Sequence, residues 1–444
     1  MKIAIVGAGE VGTHLAKLLT RENINIVLMD EQESRLRDLE TNYDMLTRVG
    51  SPTSLNDLRN IGVKDADLFV AVTPEESRNL TSCLLATKLG AKKTLARIDN
   101  YEYLLPENKP VFEQMGLNHL IYPEVLAANE ILESLQTSWM RYHITLADGL
   151  LHLCIIKVRK GADIIGKKFA SGYFLNGRYR IVAIKREQRT FIPRGDDEIM
   201  SEDLVYFLCT KENIDFVREQ AGKLKREVRN VILMGGSRIA RKVAQEAPEK
   251  LKIKIIEKDR DTCMSLAEKL SNTLIINADA TNIDVLREEG IRDADAFVAL
   301  TDNSATNIFA CLTARKLGTG KTIAEIENID YIHMAEGLDI GAILNKKTIA
   351  ASYIYQLLMD ASVLSVHNLT TADAEMIEFI VTDKSRITRT KIRDAHLPQD
   401  VNIGAIIRAG EVVLADGDTQ ILAGDHVSVF CTSKAIRQLD YFFR

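Results

Sequence analysis

The chain has 444 residues, 46% of them hydrophobic and 27% charged, and a formal net charge of −5. That length is too great for one hydrophobic core and predicts two to four domains. The acidic balance argues against a generic nucleic-acid binder, which carries a basic stripe, and no apolar run approaches the ~18 residues of a bilayer span.

The first residues, Lys2–Val6, form a continuous apolar strand that runs into glycine too soon for a secretory signal. No direct membrane insertion is therefore expected, and any tie to a membrane must run through a partner. Gly7-Ala8-Gly9-Glu10-Val11-Gly12 follows the strand and opens an amphipathic helix over 13–19. In a strand-loop-helix setting this spacing predicts a dinucleotide-binding turn. Gly7 permits the tight turn, Gly9 lets backbone approach a pyrophosphate, and Gly12 lets helix and strand pack closely. The helix N-terminus, with Glu10 and Val11 in its first turn, faces the phosphate charge.

A second strand over 25–29 leads to Asp30, eighteen residues beyond Gly12 (30 − 12 = 18), where a carboxylate can accept from ribose hydroxyls. Such an acid repels a 2′-phosphate, so NAD(H), ATP or ADP is favoured over NADP. Further strands are expected over 68–72 and 94–98, with a helix over 77–89 between them. Thr73 and Pro74 would then lie at the crevice of the open sheet. Arg97, in the last of these strands, can meet phosphate or a neighbouring acid. Apolar strands separated by helices indicate a parallel sheet covered on both faces.

Residues 122–137 read as a helix started at Pro123. It leads into short alternating runs over 152–158, 181–185 and 204–209, expected to form a small α+β domain.

From there the chain repeats itself. Gly62-Val63-Lys64-Asp65-Ala66-Asp67 reappears as Gly290-Ile291-Arg292-Asp293-Ala294-Asp295, an offset of 290 − 62 = 228 residues. The same offset relates Gly7 to Gly235, Asn79 to Asn307 and Lys93 to Lys321. The tails repeat with Gly195 matched to Gly417, an offset of 417 − 195 = 222. Repetition on this scale means duplication. The expected fold is α/β, with two Rossmann-like parallel-sheet domains each followed by a small α+β domain. The boundaries are 1–121, a linking helix 122–140, 141–224, 228–345, a second linking helix 346–364 (its core at 347–359), and 365–444.

The second loop reads Gly235-Gly236-Ser237-Arg238-Ile239-Ala240. Ser237 adds a Cβ where backbone should nearly touch phosphate, while Glu257, Thr301 and Asp302 occupy the places of the strand-tip acid and the crevice residues. A working second site and a scaffold copy both fit. Glu10 and Arg97 in the first copy face Arg238 and Glu325 in the second, an exchange of charge. It predicts NAD(H) for the first site and a more phosphate-rich ligand, ATP or ADP, for the second.

The GAGEVG loop, Asp30, the Gly50-Ser51 step, Asp65-Ala66-Asp67, Asn79 and Gly424-Asp425-His426-Val427 are similar to the TrkA family of bacterial Trk potassium uptake, within the RCK/KTN group. The resemblance implies a cytoplasmic regulatory subunit, peripheral on the inner face of the membrane and bound to a TrkH-type channel. It implies nucleotide-binding Rossmann-like domains, with Ser51 among the site residues, that self-associate into a ring as dimer or tetramer. The tails would assist assembly or bind a small ligand.

No enzyme is expected, because the tails offer no acid, base or metal beside a nicotinamide. His152 and His426, read as the only histidines in strand-like parts of the tails, fit core-edge positions. An NAD-dependent oxidoreductase and a ligand-independent assembly scaffold are the alternatives. The six cysteines have no CxxC spacing and are expected to be buried, reduced thiols, and no metal spacing occurs.

Overall fold

The computed structural model describes residues 1–20, 24–37, 39–187, 189–224, 227–358, 363–368, 374–432 and 435–443. Residues 359–362, at the end of the expected second linking helix, lie outside these, as do 369–373, 433–434 and 444 in the expected last domain. Two compact units result: Met1–Ala127 with Asn345–Leu358, and Ala128–Leu344 with Met359–Arg444.

The first unit holds a six-stranded sheet of β1 (Lys2–Val6), β2 (Asn25–Asp30), β3 (Leu46–Val49), β4 (Leu68–Ala71), β5 (Thr94–Arg97) and β6 (His119–Ile121) in the order β3-β2-β1-β4-β5-β6. All neighbouring pairs are parallel. Ile3, Ala4, Ile5 and Val6 are fully buried, as a strand covered on both faces requires. Helices α1 (Glu10–Leu19) and α2 (Glu76–Leu89) pack on this sheet. β3 and β6 were not anticipated: β3 exposes three of its four residues and β6 is three residues long, so neither shows a buried apolar run.

Helix α3 (Pro123–Gln136) starts at the proline, as expected. From Ala128 onward it belongs to the second unit. There follows a five-stranded antiparallel sheet of β7 (Tyr142–Leu146), β8 (Leu151–Lys157), β9 (Tyr179–Arg186), β10 (Arg189–Phe191) and β11 (Leu204–Cys209), ordered β10-β9-β11-β8-β7.

The second Rossmann-like sheet repeats the first: β12 (Asn230–Met234), β13 (Lys252–Glu257), β14 (Thr273–Asn277), β15 (Ala296–Ala299), β16 (Lys321–Glu325) and β17 (Ala342–Leu344), ordered β14-β13-β12-β15-β16-β17. Its helices include α4 (Arg238–Glu246) and α5 (Ser304–Lys316). Helix α6 (Lys346–Leu358) follows β17 in sequence but packs on α1 of the first unit. The unit in which each linking helix packs is a matter of tertiary contact that periodicity cannot express.

The last sheet, β18 (Val363–Asn368), β19 (Ala374–Ile380), β20 (Val401–Arg408), β21 (Glu411–Leu414) and β22 (His426–Thr432), repeats the order of the first antiparallel sheet. The two share one apolar core, in which Leu153, Val182, Tyr206 and Leu208 pack with Met376, Ala405 and Phe430. Burying each such side chain contributes about 1.5–3 kcal/mol for the larger ones. The repeated tails also repeat one ion pair, made by a buried aspartate and a partly exposed arginine. Arg186 donates to Asp203 at 2.9 and 2.8 Å, and Arg408 donates to Asp425 at 2.8 and 2.7 Å. All six cysteines are free and buried.

Candidate functional site

In each Rossmann-like sheet the strand order turns back between the first and fourth strands, the place where such folds receive ligands. The first loop sits there. Gly7 has φ 100, and a Cβ on it would lie 2.9 Å from the Thr73 nitrogen, so only glycine fits. A Cβ on Gly12 would lie 2.0 Å from the Gly7 oxygen, which fixes the close packing of helix on strand. Val11 is buried beneath the loop.

Gly9 is different. It is the N-cap of α1, its side-chain position meets no atom within 4 Å, and no side chain caps the helix. The amides of the first turn are thus left for solvent or an anion, in an open cradle that a side chain would fill.

Asp30, at the tip of β2, is buried and accepts the Ala8 N–H at 2.7 Å and the Gln32 N–H at 2.9 Å. Its Oδ2 also lies 3.5 Å from the Arg35 guanidinium, a residue sequence reasoning did not single out. Thr73 is buried at the end of β4, where its N–H and hydroxyl both donate to Asn79 Oδ1, at 2.9 and 2.7 Å. The Asn79 amide donates to the carbonyls of Thr73 and Arg97 at 2.9 and 3.0 Å, tying the ends of β4 and β5 to α2. Pro74 is exposed at the rim.

Ser51, just beyond β3, accepts from Arg78 at 3.3 Å, and Arg78 also pairs with Glu31. The hydrogen bond to Ser51 and then Arg78 hold the Glu31 carboxyl below its ordinary range. Arg78 therefore spans the outer edge of the crevice. The repeat could not reveal it, because the matching position is Thr306. Arg97 stands one strand further out, with Asp99 at 3.5 Å and its buried Nε lacking a hydrogen-bond partner among the described residues. Glu10 stands on the first turn of α1. It is largely exposed and pairs with Lys347 from α6.

The second loop keeps the frame and changes the cradle. Gly235 has φ 97, and Gly236 donates its N–H to Glu257 at 2.6 Å, while Asp259 donates to the other oxygen at 2.7 Å. Glu257 thus occupies the role of Asp30, although its sequence offset is 227 (257 − 30). Thr301 donates through its N–H and hydroxyl to Asn307 at 3.1 and 2.6 Å. Asn307 donates to the carbonyls of Thr301 and Glu325. Asp302 is exposed at the rim, Arg238 is exposed on the first turn of α4, and Ile239 is buried. The difference lies at Ser237, whose hydroxyl accepts the Ala240 N–H at 3.3 Å. The protein caps this helix with its own side chain where the first helix is left uncapped.

The structure therefore brings the first-site residues from Gly7 to Gly12, Asp30 and Thr73 to one crevice, with Ser51 at its edge and Arg97 beside it. Asn79 and Asn307 are positioning residues that the sequence displayed as a repeated asparagine without disclosing their bonds. Among the described residues, no cluster of metal-ligating side chains occurs and no helix is long and apolar enough to cross a membrane.

Comparison with known proteins matches the TrkA-N domain to residues 3–123 and 231–346, and the TrkA-C domain to 153–222 and 376–444. The chain is 31% identical over 451 residues to the Trk system potassium uptake protein TrkA of Halomonas elongata, spanning 100% of this chain and 99% of that one. It is 31% identical over 442 residues to the protein of the same name from Haemophilus influenzae, spanning 98% and 96%. Among solved structures, the GsuK RCK domain aligns with a TM-score of 0.59 at 17% identity, over 99% of this chain and 94% of that one. The GsuK channel bound to NAD aligns with a TM-score of 0.57 at 18% identity, over 100% and 78%. At such identities these structures share the fold.

Proposed function

The chain belongs to the TrkA family, and on that footing we propose that it is a nucleotide-responsive regulatory subunit of a potassium-uptake system, not an enzyme. Its relatives carry names of potassium uptake rather than of a reaction. The proposed partner is a TrkH-type membrane channel, reached from the cytoplasmic face by a peripheral, self-associated ring.

The observation that carries the ligand reading is the contrast at the two helix N-termini. At the first, the open position at Gly9 and the uncapped turn of α1 fit a pyrophosphate, and Asp30 fits a ribose diol. Asp30 keeps accepting lone pairs beyond its two backbone bonds, and Arg97 holds a buried donor nitrogen next to the crevice. NAD(H) is the proposed ligand there. At the second, the Ser237 hydroxyl already satisfies an amide that a phosphate would take. This favours weaker occupancy, with ATP or ADP as the ligand, or a scaffold role for that copy.

A bound nucleotide shifts the assembly only as far as its affinities for the two states differ. The chain's part is to grip phosphate at 7–12 and ribose at Asp30. Within the same unit, the Glu10–Lys347 pair links the loop helix to α6, so a change at the phosphate end reaches a crossover helix directly. Calorimetric titration of the full chain with NADH and with ATP, beside Asp30→Ala and Glu257→Ala, tests the proposal. Binding lost only in Asp30→Ala supports one working site, and separate losses support two. Absence of binding by either nucleotide would leave ligand-independent assembly as the better reading.

A further inference from the structure

The second unit holds a cavity of about 460 Å³ away from both glycine loops. Its walls come from the second Rossmann-like domain and from the first antiparallel sheet domain. That volume lies within the ~300–1,000 Å³ usual for small-molecule sites. Its chemistry is cationic.

Asp339, held in the left-handed backbone region at φ 54, gathers four cations on one carboxylate. Arg141 lies 2.7 Å away, Arg159 2.7 Å, Arg315 3.1 Å and Lys157 3.2 Å. Glu202 is the second acid of the cluster, 2.6 Å from Arg159 and 3.3 Å from Lys157. Two further lysine amino groups line the same cavity. Lys321 is buried and donates to the Met140 carbonyl at 2.8 Å, and Lys223 has no ion pair among the described residues. Two carboxylates therefore face five cations and the Lys321 amino group.

The remaining charged lining does not reverse this balance. Arg292 adds a cation, while Asp293, Asp295 and Glu227 are acids. Asp295 accepts the backbone N–H groups of Arg229 and Asn230 at 2.9 Å, and Glu227 pairs with Arg229 at 3.0 Å. Crowding like charges in a partly desolvated space is costly unless an anion joins them. Burial and the neighbouring Arg159 and Arg141 push the Lys223 ammonium down to about 8, and burial, then Arg141, pushes Lys321 down to about 7. Desolvation leads both shifts, and the neighbouring guanidinium groups add to it.

We propose that this cavity is an oligophosphate-binding site, taking a chain of two or three phosphates, inorganic or borne by a nucleotide, between the second Rossmann-like domain and the first antiparallel domain. The guanidinium forks of Arg141 and Arg159 suit phosphate oxygens bidentately, while Lys223 and Lys157 act as point charges. A ligand held there joins two domains of the unit through charge that neither supplies alone. The site is independent of the nucleotide reading of the glycine loops.

Trp139, the chain's single tryptophan, lines the cavity and reports on it directly. The full chain, carrying Asp30→Ala and Glu257→Ala to disable the loops, is titrated with tripolyphosphate and with ATP while tryptophan fluorescence is followed. The expected result is a saturable change with an affinity that falls at least tenfold in Lys223→Gln and weakens further with Lys157→Gln. Unaltered circular dichroism checks that these variants fold. Response to tripolyphosphate places recognition on the phosphate chain itself, and response to ATP alone places the ligand among nucleotides; either supports the site. No saturable change with either ligand overturns it, as does a change untouched by both lysine substitutions. Loss of calorimetric NADH binding in the loop variants with a persisting Trp139 response to tripolyphosphate or ATP would separate the two sites.

Discussion

Asp30 accepts the backbone N–H of Ala8 at 2.7 Å, so the acid proposed to hold a ribose also holds the glycine loop in shape. Glu257 and Gly236 repeat the bond at 2.6 Å. Asp30→Ala should therefore do two things at once. It removes the ribose acceptor, lowering nucleotide affinity at least tenfold, and it strands a buried N–H at a cost of about 1–3 kcal/mol. Calorimetry and urea unfolding of the same variant would read both. A variant with full affinity and unchanged urea midpoint would sink this dual role.

The contrast between Gly9 and Ser237 predicts a reciprocal pair of substitutions. Gly9→Ser introduces the self-capping hydroxyl of the second copy into the first, where the added Cβ meets no protein atom. It should strengthen α1 by only a few tenths of a kcal/mol while cutting NADH affinity tenfold or more. Ser237→Gly should open the second cradle and raise affinity there. NADH binding insensitive to Gly9→Ser would show that phosphate does not lie against this turn.

Duplication made most of the architecture legible, because every element of one copy checks its counterpart in the other. Asp30 and Glu257 show where this fails. One residue of length difference shifts the acid off the main offset, and only the matching bonds to Ala8 and Gly236 prove the equivalence. Strands β3 and β6 escaped because one is exposed at the sheet edge and the other is too short to show a pattern. His143 in β7 and His367 in β18 both escaped, which corrects the reading of His152 and His426 as the tails' only strand histidines. His143 stacks on His152 with ring nitrogens 3.0 Å apart. Arg78 and Lys347 were hidden for another reason. Their partners, Glu31 with Ser51 and Glu10, lie 47, 27 and 337 residues away (78 − 31, 78 − 51 and 347 − 10), and no local pattern marks such pairs.

Asn79 supports the crevice without touching its open space. Its buried amide takes part in four hydrogen bonds joining β4, β5 and α2. Asn79→Ala should cost roughly 3 kcal/mol, since several buried backbone groups lose partners together. Asn307→Ala should cost about as much in the second copy. The check is the urea midpoint of each variant; a loss under about 1 kcal/mol in both would mean the network is easily replaced by water.

Lys321 offers a pH test that its repeat partner controls. Lys93, at the same place in the first copy, is exposed, whereas Lys321 is buried under Met140 and pushed down to about 7 from its ordinary 10.5 by desolvation and then by Arg141. Between those values the unfolded chain binds a proton that the folded chain does not, so stability rises as pH increases from about 7 to 10. Below about 7 both states are protonated and the slope from this group vanishes. One such proton contributes at most ~1.4 kcal/mol per pH unit. Lys321→Met should flatten the urea-unfolding slope between pH 7 and 9 by roughly that amount, while Lys93→Met should leave it unchanged. Tripolyphosphate in the neighbouring cavity would raise the folded ammonium's proton affinity and flatten the slope of the unsubstituted chain in the same direction. Identical slopes for Lys321→Met and the parent chain would show that the ammonium escapes to water, and would remove Lys321 from the proposed phosphate site as well.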